Sequence, residues 1–344
     1  MILIISSPGD EHAAAVMAEL DRHGARATLL DLSRFPLAMR LEIGYRSGSL
    51  PRYQLAEGDR PPLNLDKEAV VWWRRPQAFS IPSVIRRETH RGFAYNEASE
   101  AFAGLWQAID AFWVNHPSRD DAAGRKVYQL RVAQEVNLRI PETLITNDPN
   151  AARQFLARQQ GRRTVFKAFS ATAAEWRETR VVTDQELAVL DNVRHAPVIF
   201  QGYIPAGVDL RVTVVGDEIF PAAIATAASS YEFDFRMDMM RVPVTAAQLP
   251  ADVEAGVRAL MRRLGLVYGA IDMRVTPQGE HVFLEINPAG QWLFIEARTG
   301  QPITATLARL LAENDAARRS GSSARQPASL RTSEKREEPA SAGG

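Results

Sequence analysis

Gly269-Ala270-Ile271-Asp272-Met273-Arg274-Val275-Thr276 and His281-Val282-Phe283-Leu284-Glu285-Ile286-Asn287 are two strand-length, mostly apolar runs separated by Pro277-Gln278-Gly279-Glu280, a turn composition. With those four residues as the turn, Thr276 pairs with His281, and counting back along both strands sets Asp272 opposite Glu285. Side chains alternate across a strand, so Glu285 and Asn287 share a face and Asp272 projects to the same side. Two facing carboxylates repel unless a cation lies between them. Three hard oxygen donors with room for water and phosphate suit Mg²⁺. The bland alternative is a solvated polar face on an ordinary hairpin. It fits poorly, because Phe283, Leu284 and Ile286 make the second strand largely apolar and Asn287-Pro288-Ala289-Gly290 ends it abruptly.

Outward from this hairpin, the chain begins as strand, helix, strand: an apolar run from Met1 to Ile5, a helix from Asp10 to His23 with Ala13, Val16, Met17 and Leu20 inward, then Ala27–Leu32. Residues 33–66 are rich in Pro, Gly and Arg with weak periodicity, and Ala69–Trp73 resumes a buried strand. A helix over Asn96–Phe112, a strand at Trp113–Asn115 and one helix over Arg119–Asn137 follow. Asp148-Pro149 supplies an N-cap and a first-turn proline for a helix to Gln160. Strands are then predicted at Thr164–Phe169, Arg180–Val182, Val198–Tyr203, Val208–Val215 and Glu218–Ala225, with helices at Asp184–Leu190, Pro250–Leu264 and Pro302–Glu313. A βαβ start followed by runs of antiparallel strands implies a mixed α/β and α+β chain. The expected lobes are 1–115, 116–204 and 205–314, and the polar, anchor-free stretch 315–344 reads as a disordered tail.

The 344 residues hold 41 Lys+Arg against 41 Asp+Glu and no cysteine. That excludes a disulfide scaffold, a thiolate nucleophile and a Cys-ligated metal, and gives no global electrostatic reason for nucleic acid or membrane as partner. A reducing cytoplasm is the expected setting, with no signal peptide or transmembrane helix. Walker-type loops, GxGxxG, GxSxG and HExxH are absent.

Lys126 by itself reads as a solvated side chain, whereas Lys167 inside Val165-Phe166-Lys167-Ala168-Phe169 needs solvent or an anion such as phosphate. The strand through Gln201, Gly202, Tyr203 and Ile204 can present backbone groups to an adenine edge, though any core strand looks similar. Alternation puts Asp209, Arg211 and Thr213 on one face, where Asp209 could accept ribose hydroxyls and Arg211 hold a phosphoryl group or a carboxylate. Asp234 and Arg236 read equally well as a loop ion pair or as part of a site.

Taken in order, Lys126, Lys167, Gln201–Ile204, Asp209, Asp272 and Glu285-x-Asn287 resemble the nucleotide site of the ATP-grasp superfamily. The resemblance implies Lys126 and Lys167 on ATP phosphates, hinge backbone on adenine, Asp209 on ribose, and Asp272, Glu285 and Asn287 on two Mg²⁺ ions. Within the superfamily the chain looks like the ribosomal-peptide maturases that make graspetides, on Val71-Trp72-Trp73-Arg74-Arg75-Pro76, Asn115-His116-Pro117, Lys126-x-x-Gln129-Leu130, Asp234-Phe235-Arg236 and Glu285-Ile286-Asn287-Pro288-Ala289-Gly290-Gln291-Trp292-Leu293. That implies phosphorylation of Asp or Glu side chains of a precursor peptide with leader and core segments, then attack by Ser/Thr hydroxyl or Lys amine, with Arg211 and Arg236 anchoring the carboxylate. It also allows a homodimer. The alternatives are an ATP-grasp ligase for free amino acids or a protein terminus, and a nucleotide-binding regulator without turnover.

Overall fold

The computed structural model describes residues 1–65, 69–159, 161, 163–169, 179–205, 208–225 and 242–320. Asp234, Arg236, residues 170–174 and residues 321–344 of the expected tail lie outside the described residues.

Strand β1 (Ile2–Ile5) leads into helix α1 (Glu11–Arg22) and β2 (Ala27–Leu30). Asp10 caps α1, its carboxylate accepting the His12 and Ala13 amides at 2.9 and 3.2 Å. The weakly periodic stretch, to which the sequence assigned no element, contains a three-stranded antiparallel sheet of β3 (Met39–Gly44), β4 (Arg52–Glu57) and β5 (Leu63–Asn64). Its signal was the alternation of Met39, Leu41 and Ile43 with Arg40 and Glu42, which the surrounding Pro and Gly mask; Met39, Tyr53 and Leu55 bury against the first lobe. Next come β6 (Ala69–Trp73), α2 (Glu88–Ala108) and β7 (Ala111–Val114). Helix α2 thus starts eight residues before Asn96, and Phe112 belongs to a strand. The parallel sheet runs β2-β1-β6-β7. Strand β1 is apolar at every position because both faces are covered: Ile2 and Ile4 enter one core, Leu3 and Ile5 another.

The helix expected over Arg119–Asn137 is two helices, α3 (Pro117–Gly124) and α4 (Lys126–Glu135), because Arg125 is extended, with ψ 111°. Next come β8 (Thr143–Thr146), α5 (Pro149–Arg158), β9 (Thr164–Lys167), β10 (Arg180–Val181), α6 (Asp184–Ala188) and β11 (Val198–Gly202), an antiparallel sheet in the order β10-β9-β11-β8. This central lobe has its own small core around Phe155, Leu190 and Phe200.

The last lobe holds β12 (Val208–Val215), β13 (Glu218–Ile224), β14 (Val244–Ala246), α7 (Ala251–Leu264), β15 (Tyr268–Val275), β16 (His281–Asn287), α8 (Leu293–Thr299) and α9 (Ile303–Arg319). Its sheet order is β14-β13-β12-β15-β16. Sequence reasoning found neither β14 nor α8. The apolar faces of β12, β15 and β16 pack with α7 in one core, while Trp292, Leu307 and Leu311 share another with Ile2, Val16 and Trp72 of the first lobe. First and last lobes are therefore built around common apolar residues.

The hairpin register differs from the expectation in an instructive way. Val275, not Thr276, pairs with His281, and a bulge adds Leu284 on the second strand, so that Asp272 does face Glu285. Thr276 belongs to the turn: its carbonyl accepts Gly279 N–H and its amide donates to Glu280 O, both at 2.9 Å. Among the described residues no helix is long and apolar enough to cross a membrane.

Candidate active site

Strands β12 and β15 run antiparallel in the register Asp209↔Arg274, Arg211↔Asp272 and Thr213↔Ala270. Alternation gathers these side chains on one face, with Glu285 and Asn287 beyond them on β16. The opposite face carries Leu210, Val212, Val214, Ile271 and Met273 into the core beneath α7. One sheet thus holds polar chemistry against a sealed apolar backing.

Each acidic side chain on the polar face meets a cation. Arg211 Nε stands 3.0 Å from Asp272 Oδ1, and Lys126, the first residue of α4, ion-pairs with Glu285. Arg274 takes Asp209 with both arms, Nε donating to Oδ1 at 2.6 Å and Nη2 to Oδ2 at 3.0 Å. Asn287 is exposed, and its Oδ1 accepts the Ala289 amide at 3.0 Å. From the central lobe, Lys167 Nζ donates to Gln201 Oε1 at 2.9 Å, and Gln201 Nε2 donates to Thr143 Oγ1 at 3.0 Å. Burial pushes the Lys167 ammonium down to about 8; the charge of Glu285 opposes the shift, Lys126 and Arg274 add to it, and Asp272 opposes it weakly. Lys167 therefore feels charges carried by α4, β15 and β16. Lys126, Lys167, Arg211 and Arg274 outnumber Asp209, Asp272 and Glu285 by one, a balance that suits an anionic ligand.

The crossover from β11 to β12 runs through Tyr203 and Ile204. Gly202 and Tyr203 donate their amides to Glu142 O and Arg163 O, each at 2.9 Å, and Ile204 O accepts Arg274 Nη1 at 3.0 Å. Much of the backbone over Gln201–Ile204 is thus already engaged. Among the described residues, no three His, Cys, Asp or Glu side chains form a metal-binding group. The oxygen set is two carboxylates and a carboxamide, which fits a hard cation completing its shell with water and phosphate.

The motifs with no individual role in the sequence meet at the turn that follows β16. Arg74, only 1% exposed, donates from Nη1 to Ala289 O at 2.6 Å and Gly290 O at 2.9 Å, and from Nε to Asp10 Oδ2 at 3.1 Å. Tyr268 Oη donates to Gly290 O, and Asn115 Nδ2 to Pro288 O and Tyr268 O. Gln129 acts as a surrogate strand, its carboxamide donating to Ile286 O at 2.8 Å and accepting Ile286 N–H at 3.2 Å. His12 Nε2 accepts the Trp292 amide at 3.1 Å; burial lowers the imidazole's basicity, keeping that nitrogen an acceptor.

Asp120 in α3 lies near this cluster and is raised to about 7, by burial first and Asp121 second, against Asn115 and Arg74. A carboxyl whose folded pKa lies above its unfolded value makes the fold lose stability as pH rises from about 4 to about 7. Asp120→Asn is therefore expected to raise the melting temperature at pH 8 and to leave it nearly unchanged at pH 4. An equal shift at both pH values would refute this.

Residues 1–121 match the family model of the MvdD pre-ATP-grasp domain. Among solved structures, the macrocyclase MdnC of Microcystis aeruginosa MRC, bound with the precursor peptide MdnA, is 30% identical over 90% of this chain and 98% of its own, with a TM-score of 0.79. The chain belongs to the graspetide-type ATP-grasp ligases. A Chryseobacterium gregarium RiPP-associated ATP-grasp ligase, in complex with ADP and a leader and core peptide, is 28% identical to this ligase, covering 90% of this chain and 96% of its own, with a TM-score of 0.82. The macrocyclase MdnB of Microcystis aeruginosa MRC is 29% identical over 90% and 98% of the two chains, with a TM-score of 0.74. No curated protein matches this ligase.

Proposed function

We propose that this ligase cyclises a ribosomally made precursor peptide in the cytoplasm, recognising its leader and turning Asp or Glu side chains of its core into acyl phosphates that Ser/Thr hydroxyls or Lys amines attack. The observation that carries the reading is the polar face of β12, β15 and β16, where cations and carboxylates interleave over a sealed apolar backing. Lys126 and Lys167 would neutralise ATP phosphates, the backbone through Gln201, Gly202, Tyr203 and Ile204 would meet adenine, and Asp209 would accept the ribose hydroxyls. Asp272, Glu285 and Asn287 would hold Mg²⁺, two ions in all, which neutralises phosphate charge when bound. Arg211 would leave Asp272 for the transferring phosphoryl group or the substrate carboxylate, with Arg236 as its partner and Asp234 beside it. Likeness to peptide-bound MdnC supports the substrate class.

The test is the intact mass of an acidic, Ser/Thr-containing precursor encoded beside this chain, after incubation with the ligase, ATP and Mg²⁺. Loss of one water per bond is expected, and Glu285→Gln should slow it at least about a hundredfold. No mass change, with ADP released instead on adding free amino acids, would overturn the peptide reading. No ADP release with any substrate would leave a regulator.

Lys167 gives the nucleotide site a pH signature. A polyanion favours the ammonium, so ATP affinity should fall as pH rises above about 8, approaching tenfold per pH unit. Lys167→Arg stays charged and should flatten the profile. Titration calorimetry from pH 7 to 9.5 checks this, and equal slopes in both proteins would refute it.

A further inference from the structure

We infer that Arg274 is a positioning residue that sets the ribose specificity of this ligase by locking Asp209 and Ile204 into one rigid corner. The inference deepens the nucleotide-site reading above and rests on it. Asp209 and Arg274 are directly opposed on β12 and β15, 6% and 8% exposed. The two-armed contact fixes the carboxylate plane, because both oxygens are held at once by a planar fork. Each oxygen keeps a further acceptor site. A fixed carboxylate with one such site on each oxygen matches two vicinal hydroxyls, whereas a rotating one pays for its own ordering at every binding event.

The third contact of the same guanidinium falls on Ile204 O, five residues before Asp209, so Arg274 also holds the crossover between the lobes. The guanidinium stands 5.8 Å from the Tyr203 ring, which Arg163 approaches at 5.9 Å. One side chain thereby sets the distance between the segment offered to the base and the carboxylate offered to the sugar. Stability alone is a poor account of such a pair, since a buried ion pair is often no better than apolar residues of the same volume. The sequence gives no pairing between β12 and β15, so the role of Arg274 emerges only with its cross-strand partner Asp209.

Calorimetric titration of the full chain with ATP, 2′-deoxy-ATP and 3′-deoxy-ATP tests this. The unaltered ligase should prefer ATP over either deoxy analogue by about tenfold or more, and Arg274→Lys, which keeps the charge but loses the fork, should reduce the preference below about threefold. Asp209→Asn should lower it likewise, an arm that holds even if Arg274→Lys fails to fold, and adding Arg274→Lys to Asp209→Asn should change it no further. A folded Arg274→Lys protein with the parental preference, or a parent with no preference, overturns the inference while leaving ATP binding intact. Failure of the parent to bind ATP at all would instead sink the nucleotide-site reading.

Discussion

Arg74→Met is expected to destabilise the protein by about 3–5 kcal/mol, the cost of removing one partner from a buried ion pair. The guanidinium bridges Asp10, Ala289 O and Gly290 O and lies 5.2 Å from the Trp292 ring centre. Methionine fills similar volume, so the loss reads the polar contacts rather than a cavity. Burial opposes ionisation of Asp10, but the His12 and Ser6 hydrogen bonds and the charge of Arg74 outweigh it and hold the carboxyl well below its usual range. A depressed carboxyl contributes stability above its unfolded pKa and loses it as pH falls. The destabilisation should therefore be larger at pH 7 than at pH 3. Denaturant unfolding followed by tryptophan fluorescence, with Trp72 and Trp292 beside the site, measures it. A change under about 1 kcal/mol at pH 7 would show that the contacts are dispensable.

Gly290→Ala should cut turnover on the order of a hundredfold, because moving a positioned group by about 1 Å has that cost. An added Cβ would lie 2.3 Å from Ala270 Cβ, 3.3 Å from Asn287 O and 3.5 Å from Arg211 Nη1. The first distance is prohibitive, so the turn must shift, and Asn287 and Arg211 shift with it. Stability should fall by only about 1–3 kcal/mol, as overpacking usually costs. Since the severe clash is with one methyl group, Ala270→Gly in the same chain should restore most of the rate of ADP release. Failure of that rescue in a folded double variant would place the defect elsewhere.

Much of the architecture was legible where apolar periodicity is strong. The βαβ opening, the Asp148-Pro149 helix start and the β12–β13 hairpin with Gly216 at φ +60° all follow from local chemistry. The break at Arg125 was not, since nothing in Ala123-Gly124-Arg125-Lys126 forbids a continuous helix; Lys126 at the head of α4 is held by Glu285, a tertiary partner 159 residues away. The pairing of Asp272 with Glu285 was reached by two errors that cancel, a turn counted one residue short and an unseen bulge at Leu284. Individual site residues were visible as oddly polar positions in apolar strands. Their cross-strand partners were not, because pairing between β12 and β15 joins segments more than fifty residues apart. Arg274 and the Arg74, Tyr268 and Asn115 contacts on the 288–290 turn belong to that class.

The shared core of the first and last lobes bears on recombination. Ile2, Val16 and Trp72 interleave with Trp292, Leu307 and Leu311, and Arg74 and His12 reach the backbone of 289–293. A chimera cut near residue 115 would mate two half-interfaces that never evolved together, exposing mismatched tryptophans and orphaned carbonyls. The central lobe, with its small private core, can be exchanged between crossover points near residues 140 and 204 with far fewer broken contacts. Libraries that shuffle these ligases should therefore transplant the middle and keep the two ends from a single parent.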